Sequence, residues 1–180
     1  MKKKLLLAGL LMSLINLGYS QSSVTVSGGW ATAAADDTDN SLDGFKISGQ
    51  YEYPMGYNNW AVGGSLTYLG FKDAGSRSVT TKYHSWPISF YGKYLIGKKK
   101  LQGYIKGVAG AQFTGIKIEN QNGSIKDTDF GFDFGAGAGA NYTVSEKVFL
   151  NLDYEFLYLI NSAYNNGIIN AVTLGVGFRI

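Results

Sequence analysis

Between residues 129 and 158 the chain runs through two stretches of strict alternation joined by a short polar break. Phe130, Phe132, Phe134, Ala136, Ala138, Ala140 and Tyr142 fall on one parity, with Asp129, Gly131, Asp133, Gly135, Gly137, Gly139 and Asn141 on the other. After 143–147 the pattern resumes, with Val148, Leu150, Leu152, Tyr154, Phe156 and Tyr158 against Phe149, Asn151, Asp153, Glu155 and Leu157. A period of two marks a strand whose faces differ chemically. Each run is about 11 residues long, roughly twice a typical globular strand and close to what a tilted strand needs to cross a bilayer. The pair reads as a hairpin with one apolar face and one face of carboxylates, amides and glycine. In a soluble sandwich the apolar face would be core; in a membrane barrel it faces lipid and the polar face turns inward.

The same test predicts eight strands, at 24–34, 44–53, 60–71, 83–95, 101–113, 130–142, 148–158 and 170–180. In the fifth, Tyr104 and Val108 share the parity of Gln102, Lys106, Gly110 and Gln112, which admits a bulge. Longer polar connections (35–43, 72–82, 114–128, 159–169) alternate with short ones (54–59, 96–100, 143–147). A barrel spanning a membrane requires such sorting, with short turns at one end and longer loops at the other, whereas a soluble exported sandwich has no reason for it. Trp60, Tyr94, Tyr142 and Phe178 gather near one inferred rim, and Trp30, Tyr68, Trp86 and Tyr158 toward the other, as in an aromatic girdle.

The first 20 residues carry Lys2, Lys3 and Lys4, a mostly apolar run from Leu5 to Leu17, and Gly18, Tyr19 and Ser20. This is the layout of a secretory signal peptide, with a mature domain expected over 21–180. The 16 basic and 13 acidic residues of the chain then become 13 of each, so the basic pI carries no argument for nucleic acid. With no cysteine, an exported domain must hold together without disulfides or a thiolate metal site. The 25 glycines are about twice the average share, while two prolines exclude collagen-like and proline-rich sequence.

The inward parity collects Lys46, Lys93, Lys106 and Arg179, balanced by Glu52, Asp133, Asp153 and Glu155. Counted back from a turn centred on Ser145, Glu155, Asp153 and Asn151 lie across from Gly135, Gly137 and Gly139, which leave room for them. Eight strands enclose space for side chains only. The charges are therefore expected to form a buried plug of salt bridges, because unpaired ions there would be costly; a gated ion path is the competing reading. Other candidate chemistry is thin. His84 and Ser85 are adjacent on a strand and point to opposite faces, out of reach as base and nucleophile. Gly135, Gly137 and Ala140 fit a dinucleotide fingerprint with no helix after it. Asn122 and Asn141 begin glycan-acceptor triplets, and Asp36, Asp37, Asp39 and Asp43 cluster where calcium could bind, although a solvated acidic loop is the commoner outcome. No catalytic set and no cofactor are expected.

The text FGFDFGAGAGANYTVSEKVFLNLDYEF, from Phe130 to Phe156, resembles strands six and seven of the small eight-stranded outer-membrane barrels of the OmpA-like, OmpX-like and opacity-type family. The C-terminal TLGVGFRI is similar to that family's insertion signal, with Thr173, Gly175, Phe178 and Ile180 at the matching places; members commonly end in phenylalanine, and this chain ends in isoleucine. The resemblance implies an all-β fold, an eight-stranded antiparallel transmembrane β-barrel with short periplasmic turns and longer extracellular loops. It also implies a place in the outer membrane of a Gram-negative bacterium, and a structural or surface-interaction role without catalysis. The partners implied are outer-membrane lipid and lipopolysaccharide, the barrel-assembly machinery during insertion, and a surface ligand held by the loops. A narrow passive pore and a lipid A modifying enzyme are the alternatives. The peptidoglycan-binding role of OmpA-type proteins is not carried over.

Overall fold

The eight alternating runs form eight strands: β1 (Ser23–Ala35), β2 (Ser41–Pro54), β3 (Trp60–Asp73), β4 (Thr80–Ile96), β5 (Leu101–Asn120), β6 (Gly123–Thr143), β7 (Val148–Asn161) and β8 (Gly167–Arg179). The computed structural model describes residues 22–35, 41–56, 59–73, 80–97, 100–120, 123–161 and 166–180. Each strand pairs antiparallel with its neighbours in sequence, and β8 returns to β1, so the sheet closes on itself. Closure gives every strand two neighbours, the condition for placing β structure in a medium that offers no hydrogen bonds.

The register sets the shape. Following cross-strand partners from Val24 leads through Tyr51, Gly64, Phe90, Ala109, Phe134, Tyr158 and Ile168 back to Ala34 on β1. One circuit thus advances from position 24 to position 34, a stagger that for eight strands tilts each by about 40°. On β7 the outward side chains from Leu150 to Ile160 then cover about 25 Å along the barrel axis, the height of an apolar membrane belt. Around the wall Val26, Ile47, Leu66, Ile88, Phe90 and Leu174 are exposed. Aromatic contacts mark both edges of this belt. Trp60 meets Tyr94 edge-on at 5.1 Å near the short turns, while Tyr68 lies 4.7 Å from Trp86, and Phe113 5.4 Å from Phe130, toward the other end.

Two expectations are corrected. Tyr104 and Val108 need no bulge, since β5 keeps one register against β4 and one against β6 along its whole length. Both are inward and buried. The segment 114–128 is for the most part strand rather than loop, because β5 and β6 stay paired as far as Asn120 and Gly123. Ile116, Ile118 and Ile125 give this polar stretch strand-forming residues, and each added pair satisfies more backbone groups. The β6–β7 ladder begins only at Gly131 and Asn161, so β5 and β6 run on beyond it as a ribbon, with β4 paired along β5 as far as Thr80 and Glu119. The sorting of connections survives in this form, with length at one end of the barrel built largely from strand. The leader, and the Asp36, Asp37 and Asp39 of the acidic cluster, lie outside the described residues. Asp43 lies within β2, paired with Thr32.

Candidate functional site: the barrel interior

The inward parity of all eight strands meets along the barrel axis, and its chemistry changes from one end to the other. Nearer the short turns it is polar. Lys106 on β5 donates to Asp153 at 2.7 Å and to Glu155 at 2.6 Å, both on β7. Lys46 reaches the other oxygen of Glu155 from β2. These four residues form one buried cluster of two cations and two anions. Lys93 pairs instead with Glu52, and its ammonium stands 4.2 Å from the Tyr104 ring centroid. Lys93 and Lys106 are directly opposed on β4 and β5. Their repulsion is relieved because each turns to a different carboxylate, one toward β2 and one toward β7.

The glycines act through the far side of β6 from the one expected. The observed register sets Gly137 opposite Glu155 and Gly139 opposite Asp153, two residues from the pairing that a turn centred on Ser145 would give. The pairing is centred one residue later, on Glu146, with Val144 and Ser145 both donating to the carbonyl of Val148 at 3.0 Å. On the other side Gly137 faces Lys106, and Gly139 faces Tyr104. A Cβ on Gly137 would lie 2.6 Å from Lys106 Cε, and one on Gly139 would lie 2.5 Å from Tyr104 Cζ. Lys106 and Tyr104 therefore lean across a strand without side chains to reach the acids on β7. Tyr104 Oη donates to Asp153 at 2.7 Å and accepts from Asn151 Nδ2 at 2.9 Å, and Asn151 also donates to Asn141 Oδ1 at 2.8 Å. Asn141, which begins a glycan-acceptor triplet, is thus buried in the lumen.

Of the eight charges expected in one network, four form the cluster, Lys93 and Glu52 form a separate pair, and two join neither. Asp133 is buried and accepts from Ser89 Oγ at 3.4 Å. Arg179 sits at the rim, where it donates to Thr143 Oγ1 at 2.9 Å and to the Glu146 carbonyl at 3.1 Å, with its guanidinium 5.3 Å from the Phe149 ring. It holds the β6–β7 turn rather than a carboxylate. The residues that escaped a search for charges are Tyr104, Asn151 and Asn141. Their signal was parity, since all three share the inward set with Lys106 and Asp153.

Toward the ribbon end the interior is apolar on one side, with buried Ser85, Gln112 and Asp133 on β4, β5 and β6 facing it. Ala31, Leu69, Phe71, Leu157, Ile169 and Ala171 are buried against one another, with Tyr83 and Leu159 packed on them. Their signal also lay in the sequence, because Leu69 and Leu157 are apolar on the inward parity where strands three and seven had been polar. Ser85 opens inward and donates to Gln112 Oε1 at 2.9 Å. His84, on the outward face, shares a 2.6 Å hydrogen bond with the Tyr68 hydroxyl. The two side chains are on opposite sides of the wall. Phe178 and Ile180 point outward and are exposed, whereas Thr173 and Gly175 face inward. The Gly175 backbone packs close against Ser27 of β1, leaving no space for a Cβ.

A family model of the outer membrane protein β-barrel domain matches residues 5–179. No curated protein sequence matches the chain. Among solved structures, Neisserial surface protein A is similar at 18% identity with a TM-score of 0.66, covering 91% of this chain and 99% of its own. Ail, the attachment invasion locus protein of Yersinia pestis, is 18% identical with a TM-score of 0.64, covering 91% of this chain and 100% of its own. Ail has also been solved with the heparin analogue sucrose octasulfate. The outer membrane enzyme PagL is 12% identical with a TM-score of 0.54, covering 87% of this chain and 99% of its own. At these identities the likeness is one of fold.

Proposed function

We propose, for a chain that belongs to the outer membrane protein β-barrel domain family and resides in the outer membrane, a non-enzymatic role in envelope structure and surface interaction, performed by a barrel whose lumen is plugged. One observation carries this reading: the inward positions are filled by two successive layers, the Lys46–Glu155–Lys106–Asp153 cluster with Lys93–Glu52, and the Leu69–Phe71–Leu157–Ile169 cluster beyond it. An ion crossing the barrel would have to displace buried pairs and then pass a level closed by packed side chains, hydrocarbon on one side and Ser85, Gln112 and Asp133 on the other. The outer end is left as the place of interaction, and the β5–β6 ribbon supplies its surface. Ail, a fold relative, carries a sulfated saccharide in one of its structures, which accords with a role in binding.

PagL brings the enzymatic alternative, and the divergence of His84 and Ser85 to opposite faces weighs against it here. Residues 1–20 serve as a cleaved signal peptide, and Thr173, Gly175, Phe178 and Ile180 on the strand that closes the barrel serve as the insertion signal. Planar-bilayer recording tests the reading. The purified barrel should give no conductance steps above background, and defined steps would replace the plug with a pore. Mass spectrometry of lipid A from cells with and without the protein should show one acyl pattern; a changed pattern would make the barrel an enzyme.

A further inference from the structure

Of the four carboxylates that line the lumen beside Lys46, Lys93 and Lys106, Asp133 alone has no ammonium partner among the described residues. Lys46 and Lys106 are taken by Glu155 and Asp153, and Lys93 by Glu52. Arg179 stays at the rim, on the β6–β7 turn. Asp133 meets a hydroxyl instead, with Ser89 Oγ 3.4 Å from one carboxyl oxygen and 3.5 Å from the other. A hydroxyl bonded to a full negative charge stands closer than this by about 0.7 Å.

The register surrounds the acid with neutral neighbours. Asp133 pairs with Gly110 on β5 and Leu159 on β7, and Gly110 pairs with Ser89 on β4. A Cβ on Gly110 would lie 2.5 Å from Asp133 Oδ1 and 2.6 Å from Ser89 Oγ. The carboxyl therefore leans across the glycine to reach the hydroxyl. Gln112, two residues farther out on the inward face of β5, is diagonal to Asp133 and fully buried. Its Oε1 accepts from Ser85, and its Nε2 has no partner among the described residues. Exchanging the two amide atoms keeps a bond to Ser85, whose hydroxyl can then donate to Thr114 Oγ1 at 3.3 Å, and leaves a carbonyl oxygen to be satisfied. That oxygen needs a donor, which a carboxylate lacks and a neutral carboxyl has.

The charged and titratable groups that face Asp133 are Glu155 on β7 and Lys46 on β2, bonded to each other, with Lys106 on β5, Tyr91 on β4 and Asp129 on its own strand. From β1, β3 and β8 it meets the hydrocarbon of Ala31, Leu69, Phe71 and Ala171. We infer that Asp133 is a neutral acid in the closed barrel, donating to the Gln112 amide oxygen, and that its proton seals the outer half of the lumen. With Asp133 neutral the lumen charges balance, three against three. When the proton leaves for the medium, a negative charge and an unpaired carbonyl oxygen stand side by side, and water must enter to solvate them. The inference rests on the buried lumen of the fold and not on the absence of conductance, so proton linkage tests it separately.

Urea unfolding of the vesicle-bound barrel, followed from about pH 5 to about pH 9, reads that linkage. Free aspartate is ionised above about pH 4, so the unfolded chain gives up a proton that the folded barrel keeps, and stability falls as pH rises. The unfolding constant should increase about tenfold per pH unit until the folded acid itself ionises. Asp133→Asn, which keeps the size and carries a permanent donor, should lose this slope and be the more stable protein at the alkaline end. Backbone hydrogen exchange over Gly110–Thr114 should be faster in wild type than in the variant at that end, and equal at the acid end. Infrared difference spectra of wild type against the variant at neutral pH should show the carbonyl stretch of a neutral carboxyl. A wild type without the slope, a variant that retains it, or a carboxylate band in the difference spectrum would each overturn the inference. Exchange that never differs between the two proteins would remove the seal.

Discussion

The two halves of the lumen share one backbone geometry and one parity, yet they are held together by different physics. Near the short turns Lys106 faces Asp153 and Glu155 in a space from which water is largely excluded. Toward the ribbon Leu69, Leu157 and Ile169 fill the same kind of space with hydrocarbon. In the ionic half the attraction between partners offsets a large desolvation cost, so the cluster tolerates loss of the whole better than loss of one member. In the apolar half each side chain contributes separately, by area and by fit. A closed barrel therefore has one sensitive region and one graded region along a single axis.

This contrast can be broken by experiment. Lys106→Met should have the largest effect, about 4 kcal/mol of lost stability in urea unfolding of the vesicle-bound barrel, because two buried carboxylates lose a shared cation. A loss below about 1 kcal/mol would show that water reaches the ionic half. Leu69→Ala should cost about 3 kcal/mol, the combined transfer and cavity penalty of a buried leucine. Tyr104→Phe should cost about 2 kcal/mol, since Asp153 and Asn151 each lose a buried hydrogen bond to its hydroxyl. Arg179→Ala, at the partly exposed rim, should cost under about 1 kcal/mol. If Arg179→Ala instead matched Lys106→Met, the rim would belong to the ionic half after all.

The parity of Phe130–Tyr142 and Val148–Tyr158 is enough to place the lipid face, because a strand alternates its side chains whatever surrounds it. It also placed Lys46, Lys93, Lys106, Glu52, Asp133, Asp153 and Glu155 inside. Their grouping was not legible. Which cation takes which anion depends on side chains crossing a lumen between strands as remote as β2 and β7, and a sum of charges on one parity cannot assign those pairs. The turn between β6 and β7 moved the glycines by two residues, which a count along the sequence could not detect, since a shift of two preserves every face. That shift changed their role, from making room for acids beside them to clearing a path for Lys106 and Tyr104.

The sequence by itself determined the strand number, the inward and outward sets, and the rims, all of which follow from local alternation. The tertiary structure decided the stagger from Val24 to Ala34, the separation of the ionic cluster from the apolar one within the lumen, and the convergence of Lys46 and Lys106 on Glu155. Each of these requires residues far apart in the chain to be set at particular heights on the barrel wall. Height is a property of register around a closed sheet, and register exists only once the strands have paired.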